Sequence, residues 1–299
     1  MKFDLKKLAI LGGIALAAGI LPLSFYARSP VLVLAEKSFT VLYGEKRARR
    51  EAFRSSLALF RPVKPVITAD DAGDDIIQVS VKAASKKPFC VLFPLSFSTA
   101  AKMYRENNPD VPVVILEGRY FEDATPSKFA IGNNTDDYFL YKTDVSLDFY
   151  RAGIAAGLII GEKEGRVAVF LDSHLQNQGR EAFLRALSDM EKQVQTSFYT
   201  SYAQFSSITN VLCVVLAGVG VEYLEKYSNI PVIFFSWMDP ELIPLDVAMV
   251  INDSPWVQAE QAARMVRGRA AKGKIQSKMV FLHGNGIEKK IKKNLRKIR

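Results

Sequence analysis

The chain has 299 residues, 49% of them hydrophobic and 24% charged, which excludes wholesale disorder and leaves one large or two medium domains. Two cysteines and two histidines exclude a disulfide-dense scaffold, a four-thiolate zinc site and a three-imidazole metal centre. The formal charge of +9 is unevenly spread, as the C-terminal residues show below.

Lys2, Lys6 and Lys7 precede an uncharged apolar run, Leu8–Tyr26. A positive start and an apolar middle predict an export signal, and the run is also long enough for one membrane-spanning helix. Residues 1–27 are therefore read as a cleaved signal peptide or an N-terminal membrane anchor. Either places the remaining chain outside the cytoplasm, in the periplasm or on the outer face of the inner membrane.

From residue 31, short apolar β-rich runs alternate with amphipathic stretches. The predicted strands are Val31–Ala35, Pro65–Thr68, Phe89–Pro94, Val113–Leu116, Lys128–Ile131, Arg166–Leu171, Gln195–Tyr199, Val211–Leu216, Pro231–Phe235 and Val247–Ile251. The predicted helices are Glu45–Leu59, Asp74–Ala84, Ser98–Asn107, Asp148–Ile160, Gln178–Lys192, Val221–Tyr227 and Trp256–Ala271. Continuous apolar strands separated by helices predict an α/β fold with parallel sheets covered on both faces. Cys90 and Cys213 lie inside such strands, which predicts two buried free thiols rather than one disulfide.

An extended stretch, Tyr138–Leu147, and a second, Asn252–Pro255, divide the series and predict two lobes. Lobe I takes 31–142 plus 253–275, lobe II takes 146–251, and 276–299 forms a further crossing near Lys278–Gly284 and a basic tail. Such a layout places a cleft between the lobes at the strand carboxyl ends.

Residues at these strand ends resemble the basic membrane protein family of extracytoplasmic solute-binding proteins. EKSF (Glu36–Phe39) follows the first strand, and Ser96–Gly118 carries a helix through NPDV into a strand. Asp144–Ile159, Gly165–Leu187 and Gln258–Lys274 are similar to later segments of that family in the same order. The resemblance implies the two-lobed type I periplasmic-binding fold, a purine nucleoside-like ligand, partnership with the membrane subunits of an ABC importer, and no enzymatic activity. The residues themselves offer no nucleophile–base set and no cofactor motif, and the export signal without a helix-turn-helix disfavours a nucleic-acid partner.

On this resemblance Phe39 is the aromatic that stacks on a base, or else core packing at a strand end, and Ser38 lies beside it. The family's next residue, Asn, is Thr40 here, and the crossing NDSPW (252–256) lacks the family's Lys. Asp172 ends a second-lobe strand, and Trp237 with Asp239 ends another, with a turn before Pro240 as the other reading. Asn133 offers an amide in the turn-rich GNNTDD stretch, where a plain turn is the competing reading. Asp70 and Asp71, like Ser96, Ser98 and Thr99, read first as helix caps. Asp253 and Trp256 flank the return crossing as candidate hinge residues. His174 is read as a surface or rim histidine, and no phosphate-cradling GxxxxGK[ST] occurs.

The tail KKIKKNLRKIR (289–299) has seven basic and no acidic side chains, most of the net charge. Ile291, Leu295 and Ile298 recur at helical spacing, so the tail reads as a basic amphipathic helix for a membrane surface, or as a solvated terminus.

Overall fold

The computed structural model describes residues 24–119, 137–201, 210–220, 229–235, 237–239, 242, 247–281 and 287–297. The leader up to residue 23, the predicted strand Lys128–Ile131, the predicted helix Val221–Tyr227, Asn133 and His283 lie outside them. No helix among the described residues is long and apolar enough to cross a membrane.

The chain opens with β1 (Val31–Glu36), α1 (Lys37–Tyr43), α2 (Glu45–Leu59), β2 (Val63–Thr68) and α3 (Asp74–Ala84). It continues with β3 (Cys90–Pro94), α4 (Ser98–Asn107), β4 (Val113–Gly118) and β5 (Phe139–Thr143). After α5 (Val145–Ile160) come β6 (Arg166–Leu171), α6 (Gln176–Asp189), β7 (Gln195–Tyr199), β8 (Val211–Ala217), β9 (Val232–Phe235) and β10 (Val247–Asn252). The last elements are α7 (Pro255–Arg267), β11 (Lys272–Ile275), β12 (Lys278–Phe281) and α8 (Ile287–Lys297).

Two six-stranded sheets result, ordered β11-β5-β4-β3-β1-β2 and β12-β10-β9-β8-β6-β7. The first is parallel throughout; in the second only β12 runs antiparallel, against β10. Val31–Leu34 and Val167–Leu171 are essentially solvent-free, as parallel strands covered on both faces must be. The chain passes from the first sheet to the second at Asp144, returns at Asp253–Ser254, and crosses again at Gln276–Ser277.

Several expectations need correction. Tyr138–Leu147 is not one extended connector: Phe139–Thr143 is a strand of the first sheet, and Asp144 caps α5 by accepting the Leu147 N–H at 3.2 Å. Lys37–Tyr43 forms a helix that no sequence signal marked, because its N-terminal residue Glu36 makes no side-chain cap. The third passage precedes Lys278–Gly284, and β11 and β12 are additional edge strands. Cys90 and Cys213 are buried free thiols, each pushed up to about 12 by burial.

α5 and α6 pack at unusually close range over the second sheet. A Cβ at Gly153 would lie 2.6 Å from the Phe183 carbonyl oxygen and 2.7 Å from Ala186 Cβ. Backbone cannot yield as a side-chain tip can. Gly153→Val is therefore expected to lower stability by about 1–3 kcal/mol, read from the midpoint of urea unfolding; an unchanged midpoint would show that the helices separate freely.

Candidate functional site

A cavity of about 380 Å³ lies between the two sheets. Its lobe I wall comes from the carboxyl ends of β1 (Ala35, Glu36), β3 (Pro94) and β4 (Leu116, Gly118). Gly218 after β8 and Phe234 and Phe235 of β9 form the facing wall. This is where parallel α/β sheets place ligands, since loops leaving the strand ends diverge there. The volume falls in the lower part of the roughly 300–1,000 Å³ range of small-molecule sites.

One end of the cavity is aromatic. Phe39 of α1 and Trp237, just past β9, face each other across the lobes with ring centroids 4.3 Å apart and planes at 37°. Phe39 also stacks on Tyr43 at 5.8 Å and 14°. Phe97 and Phe235 extend the apolar lining.

The other end is polar and built around Arg119, which directly follows β4 and is 2% exposed. Its Nη2 lies 3.4 Å from Asp148 Oδ2, and its Nε lies 3.1 Å from Asp253 Oδ2, an ion-pair contact without hydrogen-bond alignment. The guanidinium carbon sits 4.9 Å from the Phe235 ring centroid, a cation–π contact. Arg119, Asp253 and Gln258 all line the cavity. Gln258 donates to Thr143 Oγ1 at 3.0 Å.

Asp148, on α5, is fully buried behind this wall and is shared by Arg119 and by Arg151 Nη1 at 3.7 Å. Ser277 Oγ donates to Asp148, while Arg151 donates to the Ser277 carbonyl at 2.9 Å and to Gln276 Oε1 at 3.1 Å. Burial pushes the Asp148 carboxyl up to about 7, against the pull of Arg119, Ser277 and Arg151, with nearby Asp253 adding to the rise. The network gathers Asp144–Asp148, Asp253 and Gln276–Ser277, the three passages between the lobes. It therefore sits at the chain crossings and at the cavity wall together.

The residues singled out from sequence distribute unevenly around this site. Phe39 and Trp237 line the cavity, whereas Ser38, Asp172 and Asp239 are not among its lining residues. Ser38 is exposed, and its N–H donates to Asp70 Oδ1 at 2.8 Å, holding the Asp70 carboxyl below its ordinary value. Asp70 thus ties the start of α1 rather than capping α3, whose N-cap is Gly73. Asp172 ends β6 beside Gly218, and burial raises its carboxyl. Ser96 lines the cavity, but no side chain caps α4, so the capping expectation for Ser96, Ser98 and Thr99 fails. Asp253 joins the hinge network, Trp256 is buried in the lobe I core, and His174 is exposed.

Asp239 belongs to a direct contact between lobes. Its N–H donates to the Leu42 carbonyl at 2.7 Å, and Arg47 Nη1 donates to the Met238 carbonyl at 3.0 Å. Gly44 makes this approach possible: its φ is +87°, and a Cβ there would run into the Asp239 carboxylate. Gly44→Ala is expected to cost about 1–3 kcal/mol of backbone strain at this positive φ, while the Asp239 carboxylate turns aside. The urea unfolding midpoint checks this, a lower one being expected and an unchanged one showing that the turn relaxes without strain.

Arg119 and Asp148 escaped the sequence reading. Both left a signal: Arg119 is a lone cation directly after the apolar run VVILEG, and Asp148 with Arg151 are the sole charges of an otherwise apolar α5.

No family model matches this chain, and no curated protein matches it. Solved structures do. A solute-binding protein of an ABC transporter system from Conexibacter woesei DSM 14684 matches with a TM-score of 0.57 at 9% identity, over 91% of this chain and 96% of that one. A transcriptional activator of the comK gene from Bacillus halodurans matches at 0.54 and 12%, over 90% and 96%. A periplasmic solute-binding protein from Actinobacillus succinogenes 130z with bound D-allose matches at 0.50 and 16%, over 89% and 100%. At these identities the likeness establishes the fold: two lobes of helix-covered, mainly parallel sheet, in the type I periplasmic-binding arrangement.

Proposed function

We propose that this chain is an extracytoplasmic solute-binding protein that closes its lobes on a monosaccharide-sized, polyhydroxylated ring and presents it to an ABC importer. The observation that carries this reading is the cavity itself: an aromatic end and a buried Arg119–Asp253 pair meet between the carboxyl ends of two sheets. Aromatic faces suit the C–H face of a sugar ring, and the guanidinium and carboxylate suit its hydroxyls, one donating and the other accepting. The Actinobacillus succinogenes neighbour of the same fold holds D-allose.

The purine nucleoside implied by the sequence resemblance has weaker support. One face of Phe39 meets Trp237 and another neighbour is Tyr43, so a base would have to part the first pair to stack there. The physical basis of lobe closure is differential affinity, because only the closed state touches the ligand from both sides.

Isothermal titration of the purified chain against aldoses, polyols and purine nucleosides tests this. Saturable binding of an aldose or polyol is the expected result. Binding of nucleosides alone would restore the nucleoside assignment, and silence toward all three classes would overturn solute capture. In that event the second reading holds: a membrane-tethered sensor or scaffold, favoured by the Phe39–Trp237 contact that already bridges the lobes.

A further inference from the structure

The C-terminal helix carries chemistry that the cleft does not use. Ile291 of α8 is fully buried in the lobe II core, where α8 lies along α5. Ile291 is therefore engaged by the protein itself. Lys289, Lys290, Lys292 and Lys293 are exposed. Lys292 Nζ lies 6.0 Å from the Phe281 ring centroid, while Lys289, Lys290 and Lys293 join none of the ion pairs found among the described residues. Helical backbone continues to Lys297, through a stretch from 289 to 299 without an acidic residue.

We infer that this face of α8 is a peripheral docking surface for anionic phospholipid. Charge complementarity is one argument: a row of lysines held on a docked helix keeps its charges at fixed positions, facing outward together. The choice of cation is the second. Lysine dominates over arginine here, and protein–protein interfaces are enriched in arginine and depleted in lysine. A compact, strongly hydrated ammonium suits a diffuse anionic headgroup layer better than bidentate pairing with carboxylates. Because Ile291 is buried in the protein core, attachment is electrostatic and reversible by salt, unlike that of a helix which inserts such residues into lipid.

Flotation of the full-length chain with phosphatidylcholine vesicles, with and without 30% phosphatidylglycerol, tests this inference independently of any cleft ligand. Any contribution of the apolar run 8–26 is common to both vesicle types and to the variants. Each lysine near an anionic surface changes partition about fivefold. The triple variant Lys289→Gln, Lys290→Gln, Lys293→Gln is therefore expected to lose anionic-vesicle binding by about 100-fold, as is the parent chain in high salt. Its neutral-vesicle binding and circular dichroism should stay unchanged. Equal binding of variant and parent, or no preference of the parent for anionic vesicles, overturns the inference. A chain that ignores both vesicles yet binds polyglutamate through these lysines overturns it in favour of an acidic polypeptide partner.

Discussion

Replacing Asp148 with alanine is expected to destabilise the folded chain by about 1–3 kcal/mol at pH 5, where its buried carboxyl holds a proton in the fold, measured by urea unfolding. This carboxyl is the shared partner of Arg119 and Arg151, both nearly solvent-free. Its removal takes the shared carboxyl from Arg151, which keeps the Ser277 carbonyl and Gln276 Oε1, and from Arg119, which keeps Asp253. An exposed pair of the same composition would contribute under about 1 kcal/mol, because water screens it. Here both guanidinium groups stay buried after the change, so desolvation decides the magnitude. A loss below about 1 kcal/mol would show that the hinge rests on packing instead of this network.

The same carboxyl makes a signed prediction with pH. Its ordinary value is 3.8, and burial raises it to about 7 in the folded chain. Between these values the folded chain binds a proton that the unfolded chain releases. The contribution of Asp148 is thus greatest below pH 4 and declines as pH rises toward 7, by at most about 1.4 kcal/mol per pH unit. Asp148→Asn should flatten this decline, since an amide does not titrate. If the parent and Asp148→Asn show the same pH profile, Asp148 is not the titrating group.

The second large effect concerns ligand capture. Arg119→Met should weaken binding of the solute identified by titration by about 10- to 150-fold, the loss of one hydrogen bond from a charged group at about 1.5–3 kcal/mol. Arg119→Lys should fall between, because an ammonium keeps the charge but cannot span Asp148 and Asp253 with one planar fork. Urea midpoints of both variants separate lost affinity from lost fold. Unchanged affinity in a folded Arg119→Met chain would remove the polar end of the cavity from the binding site.

Much of the architecture was legible because parallel strands covered on both faces leave uninterrupted apolar runs. Arg166–Leu171 and Gln195–Tyr199 match β6 and β7, and Glu45–Leu59, Asp74–Ala84 and Ser98–Asn107 match α2, α3 and α4. Of the four edge strands, β2 and β7 were legible and β11 and β12 were not. KGKI of β11 alternates lysine with small or apolar residues, so its composition reads as a loop until β5 pairs with it. α1 was missed since seven residues without a capping side chain give periodicity little to act on. Phe39 and Trp237 could be picked out as aromatics at strand ends, because strand ends are where such clefts open. The hinge network could not be assembled in advance: Arg119, Asp148, Asp253 and Ser277 are far apart in the chain and meet only through the three crossings. A lone charge in an apolar helix announces that a partner exists, not which one.

Those crossings also constrain how the molecule is made. β11 and α7, which complete the first sheet and its core, are the product of residues 255–275, and β12 of the second sheet follows them. A nascent polypeptide released to its midpoint therefore possesses neither half in finished form, and stable tertiary structure must await nearly the whole translation product. Under the export proposed above, that delay would be useful: a secretion pore passes unfolded polymer, and sheets completed by late residues leave the chain threadable for longer.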